Sequence, residues 1–144
     1  MSERERIYNL LKETFLLLDD GDRRFFSQFG LTVSRFYALY HLREQPGMSV
    51  KNLSSRMLCD KSNATRIIKG LEELGFVTRQ PHETDGRAWR IYLTEPGDAI
   101  CQKVAAAHKT YNDSRLNFLD QIEEHNFAEG LVKLNQHLSQ ALAK

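Results

Sequence analysis

The sequence predicts a mostly α-helical fold carrying one small β-hairpin. Three observations predict it. Apolar residues recur at helical spacing over most of the 144 residues. The period switches to alternation only across "FVTRQ" (76–80) and "AWRIYLT" (88–94). The polar segment "PHETDGR" between those two runs holds the turn signal Asp85-Gly86.

Each element has a local justification. Ile7, Leu10, Leu11, Phe15 and Leu18 define a first helix from residue 5 to about 18. "DDGD" at 19–22 interrupts or weakens it before Phe25, Phe26 and Phe29, and Gly30 is a helix stop. Thr32 caps a second helix, which carries Phe36, Leu39, Tyr40 and Leu42 up to the breaker Pro46-Gly47. Ser49 caps a short third helix with Val50, Leu53 and Met57 on one face. "LCD" (58–60) makes a turn, and Asp60 caps a fourth helix. The apolar set of that helix is Ala64, Ile67, Ile68, Leu71 and Leu74, and Gly75 closes it. In the second strand Trp89, Ile91 and Leu93 share one face, with Arg90 and Tyr92 on the other. Thr94 caps a long helix that starts at Glu95-Pro96 and runs to about Asp120. A last helix from about Glu124 aligns Phe127, Leu131, Leu134, Leu138 and Leu142. Helix–turn–helix followed by a hairpin is a winged helix.

Composition narrows the function classes. Net charge is only +1, but its distribution is uneven. From Pro46 to Thr94 eight basic residues face five acidic ones, whereas from Glu95 onward five basic face seven acidic. Positive charge concentrated in the middle of the chain suits a nucleic-acid footprint. No apolar run approaches the roughly 20 residues of a membrane span. The N-terminus "MSERERIYNLL" lacks a signal-peptide pattern, and two cysteines suit a reducing compartment, so a cytoplasmic location without membrane partners is expected. No nucleophile motif, Gly-rich phosphate loop or metal-ligand spacing is present, so neither catalysis, nor a cofactor, nor a metal is expected.

The fourth helix carries the functional signal. A helix inserted in the DNA major groove needs an apolar face toward its own domain and an opposite face of short donors and acceptors with positive charge. Lys61, Ser62, Asn63, Thr65, Arg66 and Lys69 supply that face. Asn suits adenine, Arg and Lys suit guanine, and Ser, Thr and Lys also hold phosphate. Glu72 and Glu73 mark the far end, and Gly70 puts in doubt how far the contact face extends. In the hairpin loop, Arg87 is placed to enter a minor groove, with Asp85 positioned to hold its guanidinium. Ser49 at the bracing helix and Arg90 on the second strand complete the DNA-binding set. The competing reading is a solvated polar helix and an ordinary surface turn, or a winged helix that serves as a protein-interaction module without specific DNA binding.

The stretch 53–97 resembles the winged helix-turn-helix of the MarR family of bacterial transcription regulators. The matching pieces are Asp60-Lys61-Ser62, Thr65-Arg66, the run from Leu71 to Gly75, the wing from Asp85 to Arg87, and "LTE-x-G" from Leu93 to Gly97. "FGLTVSRFYALYHL" (29–42) is similar to the family's second helix. The resemblance implies one MarR-like domain over 1–144, with dimerisation helices at 1–30 and 95–144 around a DNA-binding region at 31–94. It further implies a homodimer on double-stranded DNA at a pseudo-palindromic operator. The expected role is repression released by a small aromatic or anionic effector or by oxidation. Tyr8, Phe15, Arg35, Phe36 and Tyr40 are the candidate effector-pocket residues. Cys59, beside the inserted helix, reads either as a redox-active thiol or as a small buried turn residue. A zinc site would need His41 or His108 to converge with carboxylates in the fold.

Overall fold

The computed structural model describes residues 1–143. Among them the element order is α1 (Glu3–Ser27), α2 (Val33–Glu44), β1 (Met48–Ser49), α3 (Val50–Met57), α4 (Lys61–Glu73), β2 (Val77–Pro81), β3 (Trp89–Leu93), α5 (Glu95–Leu116) and α6 (Gln121–Leu142). Two compact units divide the chain, one from Met1 to Ala107 and a second beginning at His108, with the division inside α5. The expectation was one domain over 1–144, whose last residue lies outside the described residues.

The side-chain caps fall where the sequence places them. Thr32, Ser49 and Asp60 each accept a backbone N–H from the residue three positions on, at 3.1, 3.1 and 2.7 Å. Gly75 takes φ +78° at the end of α4. Its N–H reaches the Glu72 carbonyl and that of Phe76 reaches Leu71, the paired bonds of a Schellman stop. Thr94 joins this end of α4 to α5: its hydroxyl donates to the Gly75 carbonyl at 2.6 Å and accepts the Gly97 N–H at 3.1 Å.

Four boundaries differ from the sequence reading. "DDGD" does not interrupt α1, because Asp19–Arg23 and Asp20–Arg24 pair across that turn at 3.2 and 3.0 Å. The long helix ends at Leu116, since Asp120 is itself the cap of the next helix. α6 begins at Gln121 through a capping box between Asp120 and Glu123. The hairpin gains a third strand, as Met48 and Ser49 pair with Ile91 and Arg90 to give the antiparallel order β1-β3-β2.

The core of the first unit gathers one face of every helix in it. Phe26 stacks on Phe36 with ring centroids 4.4 Å apart, and Leu39, Leu42, Leu53, Ile68, Leu71, Ile91 and Val104 close around them. In the second unit no residue of α6 is buried. There, Arg115 stacks over the Tyr111 ring at 4.3 Å.

The turn between α3 and α4 contains a strained residue. Leu58 has φ +53° and is 90% exposed. The left-handed conformation costs a side-chain-bearing residue about 1–2 kcal/mol, partly offset in glycine by its greater unfolded entropy. Leu58→Gly is therefore expected to stabilise the protein by about 0.5–1 kcal/mol, read as a higher urea midpoint at unchanged slope.

Candidate nucleic-acid interface

α4 turns its apolar residues inward and its polar ones out. Ala64, Ile67, Ile68 and Leu71 are buried, while Lys61, Ser62, Thr65, Arg66 and Lys69 are exposed and Asn63 is half-buried. Ser62, Arg66 and Lys69 follow at i, i+4 and i+7, so they form one row along the helix. The Thr65 hydroxyl donates to the Lys61 carbonyl at 2.9 Å, which leaves its oxygen free to accept.

The structure sorts the central basic residues into two sets. Arg56 pairs with Glu44 at 3.2 Å and Arg79 with Glu72 at 3.0 Å, while the Arg79 guanidinium also lies 5.4 Å from the Trp89 ring centre. Arg90 donates from Nε to both Glu83 carboxylate oxygens at 2.9 Å and from Nη1 to the Gly47 carbonyl at 3.0 Å. These three brace the fold. Among the described residues, the side chains of Lys51, Lys61, Arg66, Lys69 and Arg87 have no carboxylate partner. Lys51, on α3, was not singled out from sequence; its exposure beside the capping Ser49 is visible only in the fold.

Arg90 therefore does not join the free cations: it ties the wing loop to the Pro46-Gly47 turn. The Glu83 carboxyl is held below its usual range by its own backbone N–H and by Arg90. Ser49 spends its hydroxyl on the Asn52 N–H, and its backbone pairs with Arg90. Asp85 is placed differently from expectation. Its carboxylate accepts the Arg87 backbone N–H at 3.0 Å and so fixes the turn, not the guanidinium. The Ala88 N–H closes that turn on the Asp85 carbonyl at 3.1 Å. His82 Nδ1 accepts the Thr84 and Asp85 N–H groups at 3.3 and 3.2 Å, a role not foreseen from sequence. Arg87 is left exposed at the tip of a loop whose backbone is tied down.

The five expected pocket residues do not line one pocket, although Phe36 and Tyr40 pack with ring centroids 6.2 Å apart. Tyr8 and Phe15 are exposed on α1, and Phe36 is buried in the core. The Tyr40 hydroxyl is bonded to Glu44, whose acceptor and charge hold the phenol above its ordinary value. Arg35 lies against Gly70 of α4. One groove has a volume of about 720 Å³ and is lined by Asp19, Arg23, Ser27 and Leu31 to Ser34, with Tyr37, His41, Arg56 and Met57. Burial, then the Arg56 charge, hold the His41 imidazole below its ordinary value. Arg56 lies 3.3 Å from His41 Nδ1, and among the described residues no three His, Cys, Asp or Glu are grouped to hold a metal. Cys59 is half-buried, with its amide on the Ser54 carbonyl at 3.0 Å, and Cys101 lies in the core, where burial pushes its thiol up.

Residues 31–89 match the family model described as MarR family. Over this span the chain resembles the MarR family. A MarR-type chain should also resemble such regulators outside those residues, and it does. It is 26% identical over 107 residues to the HTH-type transcriptional regulator BilQ of Clostridium symbiosum, spanning 74% of each chain. The crystal structure of the transcriptional regulator SlyA superposes with a TM-score of 0.82 at 27% identity, covering 94% of this chain and 95% of that one. The fold is also that of the S. aureus MepR–DNA complex, with a TM-score of 0.80 at 17% identity over 90% and 96% of the two chains. The chain has the winged helix-turn-helix fold of these proteins, which are named as transcription regulators and not as enzymes. Among the described residues no helix is long and apolar enough to cross a membrane.

Proposed function

We propose that the protein is a cytoplasmic homodimer that binds a pseudo-palindromic duplex operator and represses transcription until an effector releases it. The observation that carries DNA binding is the row of exposed side chains Ser62, Arg66 and Lys69 on α4, with Lys61 on the same helix and Arg87 in the wing loop also without carboxylate partners. A protein-interaction module would expose an apolar α4 instead. That the same fold has been solved on DNA in the MepR complex supports the reading. The exposed apolar stripes of α1 and α6 support a homodimer. The groove between α1, α2 and α3 favours a small aromatic or anionic effector over oxidation, since Arg23, Arg56 and Tyr37 line it and Cys59 does not.

Selection of duplexes from random-sequence DNA with the purified protein supplies the operator. Arg66→Ala should then cut discrimination between operator and scrambled duplex by about tenfold or more, because one base contact is worth roughly 1–3 kcal/mol. Arg87→Ala should weaken operator binding while the mass in solution stays unchanged. Competition titrations at fixed salt, with light scattering, read both outcomes. If the protein binds no duplex even at low salt, the reading fails and the interaction module takes its place.

A further inference from the structure

Gly70 borders the polar face of α4 at a point where a side chain would collide with another residue. A Cβ built on Gly70 would stand 2.5 Å from a guanidinium nitrogen of Arg35 and 3.1 Å from its Cζ and Nε. The guanidinium of this α2 residue thus rests on the bare backbone of α4. Gly70 is buried and Arg35 half-buried, so the contact is a seat and not a chance approach of an extended side chain. The seat offers no hydrogen-bond partner. Among the described residues, the Arg35 side chain has neither an ion pair nor a hydrogen bond, while its backbone N–H donates to the Thr32 hydroxyl.

The position of the seat gives this free cation a use. Asn63, Arg66 and Gly70 fall at i, i+3 and i+7, so Gly70 lies on the same side of α4 as the first two, one turn beyond Arg66. Arg35 therefore adds from α2 a positive charge on the side of α4 where Gly70 carries no side chain. A helix lying in a major groove about 12 Å wide is flanked by the sugar–phosphate strands. A planar, unpaired guanidinium along the flank of such a helix has the fork geometry of a phosphate clamp. Glu73 follows within one turn, and the row of unpaired cations does not continue past it.

We propose that Arg35, seated on Gly70, is a DNA-backbone contact that clamps one phosphate beside α4. This deepens and rests on the reading of the protein as a duplex-DNA regulator. The clamp carries no sequence information, so it acts on operator and scrambled DNA alike. It also accounts for Gly70 in the middle of a helix, a position where glycine is a poor helix former.

The experiment is a fluorescence-anisotropy titration of the selected operator and of a scrambled duplex, over a range of salt concentrations, with the purified full chain. Arg35→Gln should weaken binding to both duplexes by roughly three- to tenfold and flatten the salt slope by about one unit per clamped phosphate. Arg35→Lys should recover part of the affinity and all of the slope. Gly70→Ala displaces the guanidinium while improving helix propensity, so it should weaken binding with no loss of thermal stability. In the Arg35→Gln background Gly70→Ala should change nothing further. An Arg35→Gln variant with wild-type affinity and salt slope would overturn the clamp, as would a loss confined to the operator at unchanged slope. Wild-type protein that binds neither duplex would overturn the regulator reading itself, which separates the two failures.

Discussion

Gly97→Ala is expected to destabilise the protein by about 3 kcal/mol or more and to carry DNA binding down with it. Gly97 is the third residue of α5, and its buried α-carbon faces the backbone of Phe76. A methyl group there would run into the Phe76 carbonyl oxygen, with the carbonyl carbon 2.8 Å and the α-carbon 3.0 Å away. Backbone atoms cannot swing aside as a flexible side chain would. This carbonyl also accepts the Thr94 N–H at 3.0 Å, and the Phe76 N–H closes the stop of α4 on Leu71 at 2.9 Å. Relief would require moving α5 away or opening the end of α4. The first strand pair of the wing, Val77 with Leu93, starts at the same place. For a chain of this size the loss corresponds to a fall in melting temperature on the order of 10 °C, measurable by circular dichroism. An unchanged melting curve would mean that the close approach is easily relaxed. The "LTE-x-G" run at Leu93–Gly97 thus has a physical content: a cap at Thr94 and a bare α-carbon three residues later.

What sequence reasoning captures and what it misses divides along the range of the interactions. Thr32, Ser49, Asp60 and Gly75 act on backbone groups a few residues away, and the structure shows each doing so. The apolar face of α4 was equally legible, because helical period and burial are one geometry. Two-residue β1 was not legible, since its only justification is pairing with β3 more than 40 residues later. The uninterrupted α1 depends on ion pairs that rescue a Gly-containing turn. Counting charges could not tell Arg66, which is free, from Arg79 and Arg90, which brace the wing. Nor could it place Arg35, read from sequence as a pocket residue, against a glycine 35 positions away. The groove lined by Arg23, Tyr37, His41 and Arg56 likewise draws on three helices.

The double substitution Phe127→Glu/Leu131→Glu is expected to leave a folded monomer with about a hundredfold or greater loss of operator affinity. Phe127 and Leu131 share one face of α6 with Leu134, Leu138 and Leu142, and they are 61% and 43% exposed. No residue of α6 is buried within the chain, so a charge on this face disturbs no core, and glutamate is a good helix former. On α1, Ile7, Leu10, Phe15 and Leu18 are exposed in the same manner. Burying each such side chain against a second copy contributes roughly 1.5–3 kcal/mol, and several are needed to exceed the association cost. In a two-fold assembly every substitution occurs twice, so four carboxylates would be desolvated across one interface. In the proposed homodimer DNA affinity follows, because two half-sites held on one dimer gain an effective concentration that separate monomers lack. Light scattering at micromolar concentration should give the monomer mass, with helical content and melting close to those of a folded chain. A variant that keeps a dimer mass would place the interface elsewhere. A variant that is monomeric yet binds the operator as tightly as wild type would break the proposed link between a two-fold assembly and a pseudo-palindromic site.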